Sequence, residues 1–155
     1  VIPFNMVPLL PKKLNFKNPD SSKKIYKITW FISITFTLFF LLFSSQIIQI
    51  IFGNQYIEAN KIAPVLGLTI FFNGIMVTDN VFLNYYGLRN IIFLKSFFSL
   101  VSNIILNIIL IPKFGVLGAS LSTLFSSLVI SFSGFLYDGN LKNHYKNLLF
   151  PFSIN

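Results

Sequence analysis

Long apolar runs, separated by short clusters of Lys, Arg, Gly and Pro, set the pattern of this chain. Nearly charge-free runs of about 20 residues are long enough to cross a hydrocarbon core of roughly 30 Å. That ruler predicts four transmembrane helices, over 28–52, 62–86, 91–111 and 114–137, with no strands between them. Residues 1–27 read as the end of a preceding span, VIPFNMVPLL, followed by a basic loop. Residues 138–155 form a tail whose Leu141, Tyr145, Leu148, Leu149 and Phe152 have roughly helical spacing, as expected of a helix lying on the membrane surface. The start at Val1 and the short first apolar stretch predict a fragment whose beginning lies upstream.

Polar side chains inside a span avoid lipid and face a bundle interior or a wet cavity, so their spacing is informative. On the third predicted span Lys95, Ser99, Asn103 and Asn107 recur every four residues, flanked by Ser96 and Ser102. This stripe either makes interhelical hydrogen bonds or lines a hydrophilic substrate path, with Lys95 snorkelling to the headgroups or meeting a phosphate. The second span places Thr69, Asn73, Asn80 and Asn84 near one face, so Asn73 and Asn80 join the path candidates. Asp79 stands beside them. A carboxylate at membrane depth costs on the order of 3 kcal/mol and requires compensation. Lys95, Arg89, a bound cation or the carboxyl's own proton would supply it, so Asp79 and Arg89 are candidates for coupling or gating or, alternatively, for a structural ion pair.

The fourth span is different in kind. Gly115, Ala119 and Thr123 lie four apart, Gly118, Ser122 and Ser126 form a second small row, and such rows let two helix backbones approach closely. The stretch LIPKFGVLGASLSTL, residues 110–124, therefore reads as a turn followed by a packing face. Pro112 is expected to end the third helix and Gly115 to permit the reversal. No phosphate-binding lysine pattern occurs in it. The serines have no neighbouring base to activate them, which argues against nucleophilic catalysis and an enzyme.

Composition agrees with the pattern: 54% hydrophobic and 10% charged residues, with a mean hydropathy of +0.74, describe an integral membrane protein. The absence of Cys removes thiol chemistry and Cys-bearing metal sites, and one His, His144, makes no metal cluster by itself. The net charge of +8 is carried by loop lysines and arginines, which anchor loops at lipid headgroups rather than bind nucleic acid. Lys12, Lys13, Lys17, Lys23, Lys24, Lys27, Arg89, Lys95, Lys142 and Lys146 fall on one side of the predicted topology, against Lys61 and Lys113 on the other. By the positive-inside rule both ends are cytoplasmic. Tyr26, Trp30, Tyr85, Tyr86 and Tyr137 are placed for an interfacial aromatic belt.

The order of short motifs resembles a family. The run from Pro8 to Leu14 entering a basic loop, Phe52-Gly53 with Tyr56 and Ala59, a helix ending near Gly87, and Asn107 leading into IPKFGVLGAS carry the likeness. Together they resemble the C-terminal part of the polysaccharide-exporter branch of the multidrug/oligosaccharidyl-lipid/polysaccharide exporter superfamily, in particular the bacterial O-antigen flippases. The resemblance covers most of the chain except the tail. It implies the last four helices in the second lobe of a two-lobe, 12-helix transporter, with the N-terminal lobe missing. It also implies an inner-membrane protein that moves undecaprenyl-pyrophosphate-linked oligosaccharide by alternating access, driven by a proton or sodium gradient and without a bound cofactor. A multidrug or cation antiporter of the same superfamily and a small structural membrane protein are the alternative readings. An integral-membrane glycosyl enzyme would need a larger outer loop than 53–61 or 112–113 provides.

Overall fold

The structure is a computed structural model that describes residues 19–53, 59–133 and 142–152. Its described residues form five helices and no strand: α1 Pro19–Phe52, α2 Ala63–Tyr85, α3 Arg89–Phe114, α4 Val116–Phe132 and α5 Lys142–Leu149. At 1.5 Å per residue, α1, α2 and α3 are about 51, 35 and 39 Å long, and α4 about 26 Å. The first three are long and apolar enough to cross a bilayer, and the 17 residues of α4 sit at the lower limit for doing so. The protein is thus an all-α membrane protein of about four helices, with a short fifth helix.

Helix α1 begins at Pro19, nine residues before the expected 28, because the apolar ruler measures only the hydrocarbon-immersed part of a helix. Pro19 is well suited to a first helical position. Lys23, Lys24 and Lys27, expected in the basic loop, therefore lie on the first turns of the helix. Residues 1–18 lie outside the described residues.

Helix α3 also outruns its expected end. Pro112 lies inside it, in the last turn, where its missing N–H forfeits a single bond and its ring is exposed. The helix stops at Gly115, whose φ of +57° is costly for residues bearing a Cβ, and its N–H donates to the Ile111 carbonyl at 2.8 Å. The chain break belongs to the glycine, not the proline. Helix α4 then starts at Val116, and the expected residues 134–137 at its far end lie outside the described residues.

Helices α1 and α2 pack together, α4 packs between α2 and α3, and α5 docks on α1. Small side chains make the close contacts. A Cβ on Gly74 would collide with Ser33 of α1, and one on Gly118 with the backbone of Leu110 and Ile111 of α3. In the small row of α4, Gly118, Ser122 and Ser126 are buried and Ala119 partly so, whereas Thr123 and Gly115 are exposed. Cross-helix hydrogen bonds reinforce the seams: Thr29 with Thr78 (2.9 Å) joins α1 to α2, and Ser131 donates to the Phe72 carbonyl (2.7 Å) to join α4 to α2.

The α2–α3 connection sets the relative depth of residues on the two helices it joins. The Leu88 N–H donates to the Leu83 carbonyl and the Gly87 N–H to that of Asn84, a Schellman closure with Gly87 at φ +72°. Residues equally far from such a turn lie at equal depth on the two antiparallel helices. Asp79 and Lys95 are each eight residues from Gly87.

Because the obstruction at Gly118 is backbone, Gly118→Leu is expected to cost about 2–3 kcal/mol. A drop of several degrees in the thermal unfolding midpoint in detergent is the outcome to look for. An unchanged midpoint would contradict close packing of α3 on α4.

Candidate functional site

Charge in an apolar bundle is expensive, and here it is concentrated at one end, where α1 starts, α2 ends, α3 starts and α5 docks. Lys95 Nζ donates to Asp79 Oδ2, and both side chains are 0% exposed. Lys95 therefore does not snorkel. Asp79 Oδ1 is taken by His144 Nε2 at 2.8 Å, and the Tyr26 hydroxyl lies 2.8 Å from His144 Nδ1. These bonds close without conflict in one arrangement: Tyr26 O–H donates to Nδ1, Nε2–H donates to Asp79, and Lys95 donates to the second carboxylate oxygen. A carboxylate, an ammonium and a neutral imidazole sum to zero charge.

Aromatic and aliphatic walls seal this cluster. The His144 ring stacks on Phe82 with centroids 3.4 Å apart, and Tyr26 and Tyr145 meet it edge-on. Phe82, Leu83 and Ile91 form one buried apolar group beside the pair, and Tyr26, Ile75 and Leu148 form another. Burial holds the His144 imidazole below its ordinary range, outweighing the opposite pull of the Asp79 carboxylate, while Lys95 adds to the lowering.

Two expectations are corrected by this geometry. The tail helix does not present its apolar face to the membrane surface: Tyr145 and Leu148 are buried against the bundle, where Leu148 packs with Tyr26 and Ile75. Leu141 lies outside the described residues. Tyr26 and Trp30 face α5 rather than the headgroups, the Trp30 indole N–H donating to the Leu148 carbonyl at 3.1 Å. A helix with aromatic partners across a dry seam buries more area there than at an interface.

The other sequence candidates divide between exposed faces and helix seams. Arg89 is exposed at the start of α3, and the oxygens of Asp79 are occupied by Lys95 and His144. Ser99 donates to the Ser126 carbonyl, Asn103 to the Ser126 hydroxyl and Asn107 to Asn103 Oδ1, each at 2.8–2.9 Å. The first two bonds cross the α3–α4 seam and the third stays within α3, where Asn107 leaves its own buried Oδ1 unpaired, so Ser99 and Asn103 would line a path only by exchanging their bonds. On α2, Asn73 is exposed, while Asn80 reaches Met76 Sδ and leaves its own buried Oδ1 unpaired. Thus the stripe of α3 divides: Lys95 pairs with α2, Ser99 and Asn103 with α4, and Asn107 with α3 itself. Among the described residues no three His, Cys, Asp or Glu side chains gather as a metal site would require.

His144 and Tyr26 are the members of the cluster that residue spacing alone does not bring to Asp79. A signal is present: His144, Tyr145 and Leu148 fall on one face of a short helix, which places a polar ring among apolar anchors. No protein-family model, no curated protein and no solved structure matches the chain.

Removing one partner of a buried pair strands the other charge, at a cost of about 3–5 kcal/mol, whereas replacing both with apolar groups of like size is near neutral. Lys95→Met alone should therefore destabilise the bundle strongly in a reversible unfolding assay. Combining it with Asp79→Leu should restore part of the loss, the remainder being the cost of about 1–3 kcal/mol for a His144 Nε2–H left without its acceptor. Additive losses in the double variant would show that the two side chains do not interact.

Proposed function

We propose that this chain is part of a membrane transporter that moves undecaprenyl-pyrophosphate-linked oligosaccharide across the bacterial inner membrane. The sealed Asp79–Lys95 pair carries the reading, because an ion pair held inside an apolar bundle has a use beyond stability. Its motif order resembles that of O-antigen flippases, and the lysine and arginine asymmetry supports a cytoplasmic α5 end. The large exposed apolar faces of α3, such as Phe93, Phe97, Ile104 and Ile108, are available to lipid and to the other lobe of such a protein.

In this reading Asp79 keeps Lys95 neutralised until cargo is present. A proton on Asp79 removes that restraint and leaves an ammonium able to meet the pyrophosphate anion, so cargo binding and protonation favour the same arrangement of helices. Differential affinity of this kind is what drives alternating access between two states. A cation antiporter would need a carboxylate free to hold its cargo, and among the described residues Asp79 has both oxygens engaged. The protein acts as a transporter and not as an enzyme.

The test uses the full-length protein in a bacterium lacking its own O-antigen flippase, with surface-displayed long-chain polysaccharide as the readout. The wild type restores display, and Asp79→Asn loses both display and the dependence of flipping on a pH gradient. Absence of display with the wild type would contradict the substrate assignment. Normal flipping by Asp79→Asn with unchanged pH dependence would contradict the coupling role.

A further inference from the structure

The helix that closes the charged cluster brings a titratable group with it. α5 is eight residues long and meets the bundle through His144, Tyr145 and Leu148, which are 7%, 2% and 0% exposed. Lys146 on the same helix is exposed. Among the described side chains of α5, His144 reaches both α1, by way of Tyr26, and α2, by way of Asp79.

We propose that His144 makes α5 an acid-released latch: the helix docks over the Asp79–Lys95 pair with a neutral imidazole and lets go when that imidazole takes up a proton. The hydrogen-bond directions carry this inference. With Nε2–H given to Asp79 and Nδ1 accepting from Tyr26, every polar atom of the ring is satisfied. A second proton would sit on Nδ1 and face the Tyr26 O–H, so the hydroxyl would have to turn away and become the acceptor. The added charge would also have no free counter-ion, because Asp79 is already neutralised by Lys95. An uncompensated charge in a dry site is relieved when the group moves to water.

The groups facing the ring are Tyr26 from α1, Asp79 from α2, Lys95 from α3 and Tyr145 from α5, with Tyr86 behind Phe82. α4 contains no titratable residue. Asp79 is the acid among them, and its charge is the one already spent. Burial lowers the imidazole in the docked form, whereas the released form has the ordinary value of about 6.5. The released form then binds more protons. Docking is complete above the ordinary range and weakens as pH falls through it toward the docked value. This device operates whatever the bundle transports, since it concerns only the seating of α5.

Amide hydrogen exchange across residues 142–149, corrected for intrinsic rates, tests it on the chain in lipid nanodiscs between about pH 8 and about pH 5. Emission of Trp30, the single tryptophan, reports the same seam independently. Protection of α5 should fall by up to about tenfold per pH unit in the acid range, with a red shift of Trp30, while α2 stays protected. His144→Gln keeps an N–H for Asp79 and His144→Phe keeps the stack on Phe82, and neither titrates. A variant that docks should hold α5 equally at every pH. Failure of both to dock, with the wild-type step intact, also supports His144 as the latch. The proposal is overturned by wild-type protection that is flat with pH, by a variant that keeps the wild-type step, or by α2 losing protection together with α5.

Discussion

An ion pair inside a lipid-immersed bundle is tolerated when its charges offset each other and both carboxylate oxygens find donors. That constraint organises the α5 end of this protein. Asp79 has two oxygens to satisfy, and they are met from two different helices, Lys95 on α3 and His144 on α5. His144 in turn needs a donor for its second nitrogen, which Tyr26 supplies from α1. One carboxylate therefore ties four helices together. The apolar groups around it keep water out and make the ties strong.

The remainder of the bundle can be understood as the scaffold that sets the distances. The Schellman turn at Gly87 puts Asp79 and Lys95 at one depth, and Gly74 and Gly118 let α1 and α3 come close to their neighbours. Away from the charged end, the seams are held by hydroxyl and amide bonds each worth only about 0.6–2 kcal/mol. Such seams can slide or open at low cost. The charged end resists the same motion, since separating Asp79 from Lys95 strands two charges in a dry environment.

Much of this is legible in the residues, and the parts that are not have physical reasons. The bounds of α2 fall within a residue of expectation because its apolar run is closed by Pro64 at one end and Gly87 at the other. Lys95 is among the partners expected for Asp79 because a buried carboxylate demands a cation, and the equal spacing from Gly87 singles out Lys95. The extension of α1 to Pro19 escapes the apolar ruler because hydropathy is blind to helix outside the hydrocarbon. Pro112 has the look of a stop, yet a proline in a last turn forfeits a single bond and leaves the helix to end at the positive-φ glycine. His144 gives little away because a lone histidine suggests no metal. The fact that it can complete a carboxylate's hydrogen bonds emerges only when the tail is folded back onto α1 and α2.

Asp79 and Lys95 form a direct pair buried within the bundle. Solid-state NMR of the protein in lipid bilayers, with the distance between the ammonium nitrogen of Lys95 and the carboxylate carbon of Asp79 measured by dipolar recoupling, tests it most directly. A direct pair gives strong coupling at ion-pair distance, together with an ammonium shielded from exchange with solvent deuterium. A separation beyond direct contact, or an ammonium that exchanges freely with water, would contradict it.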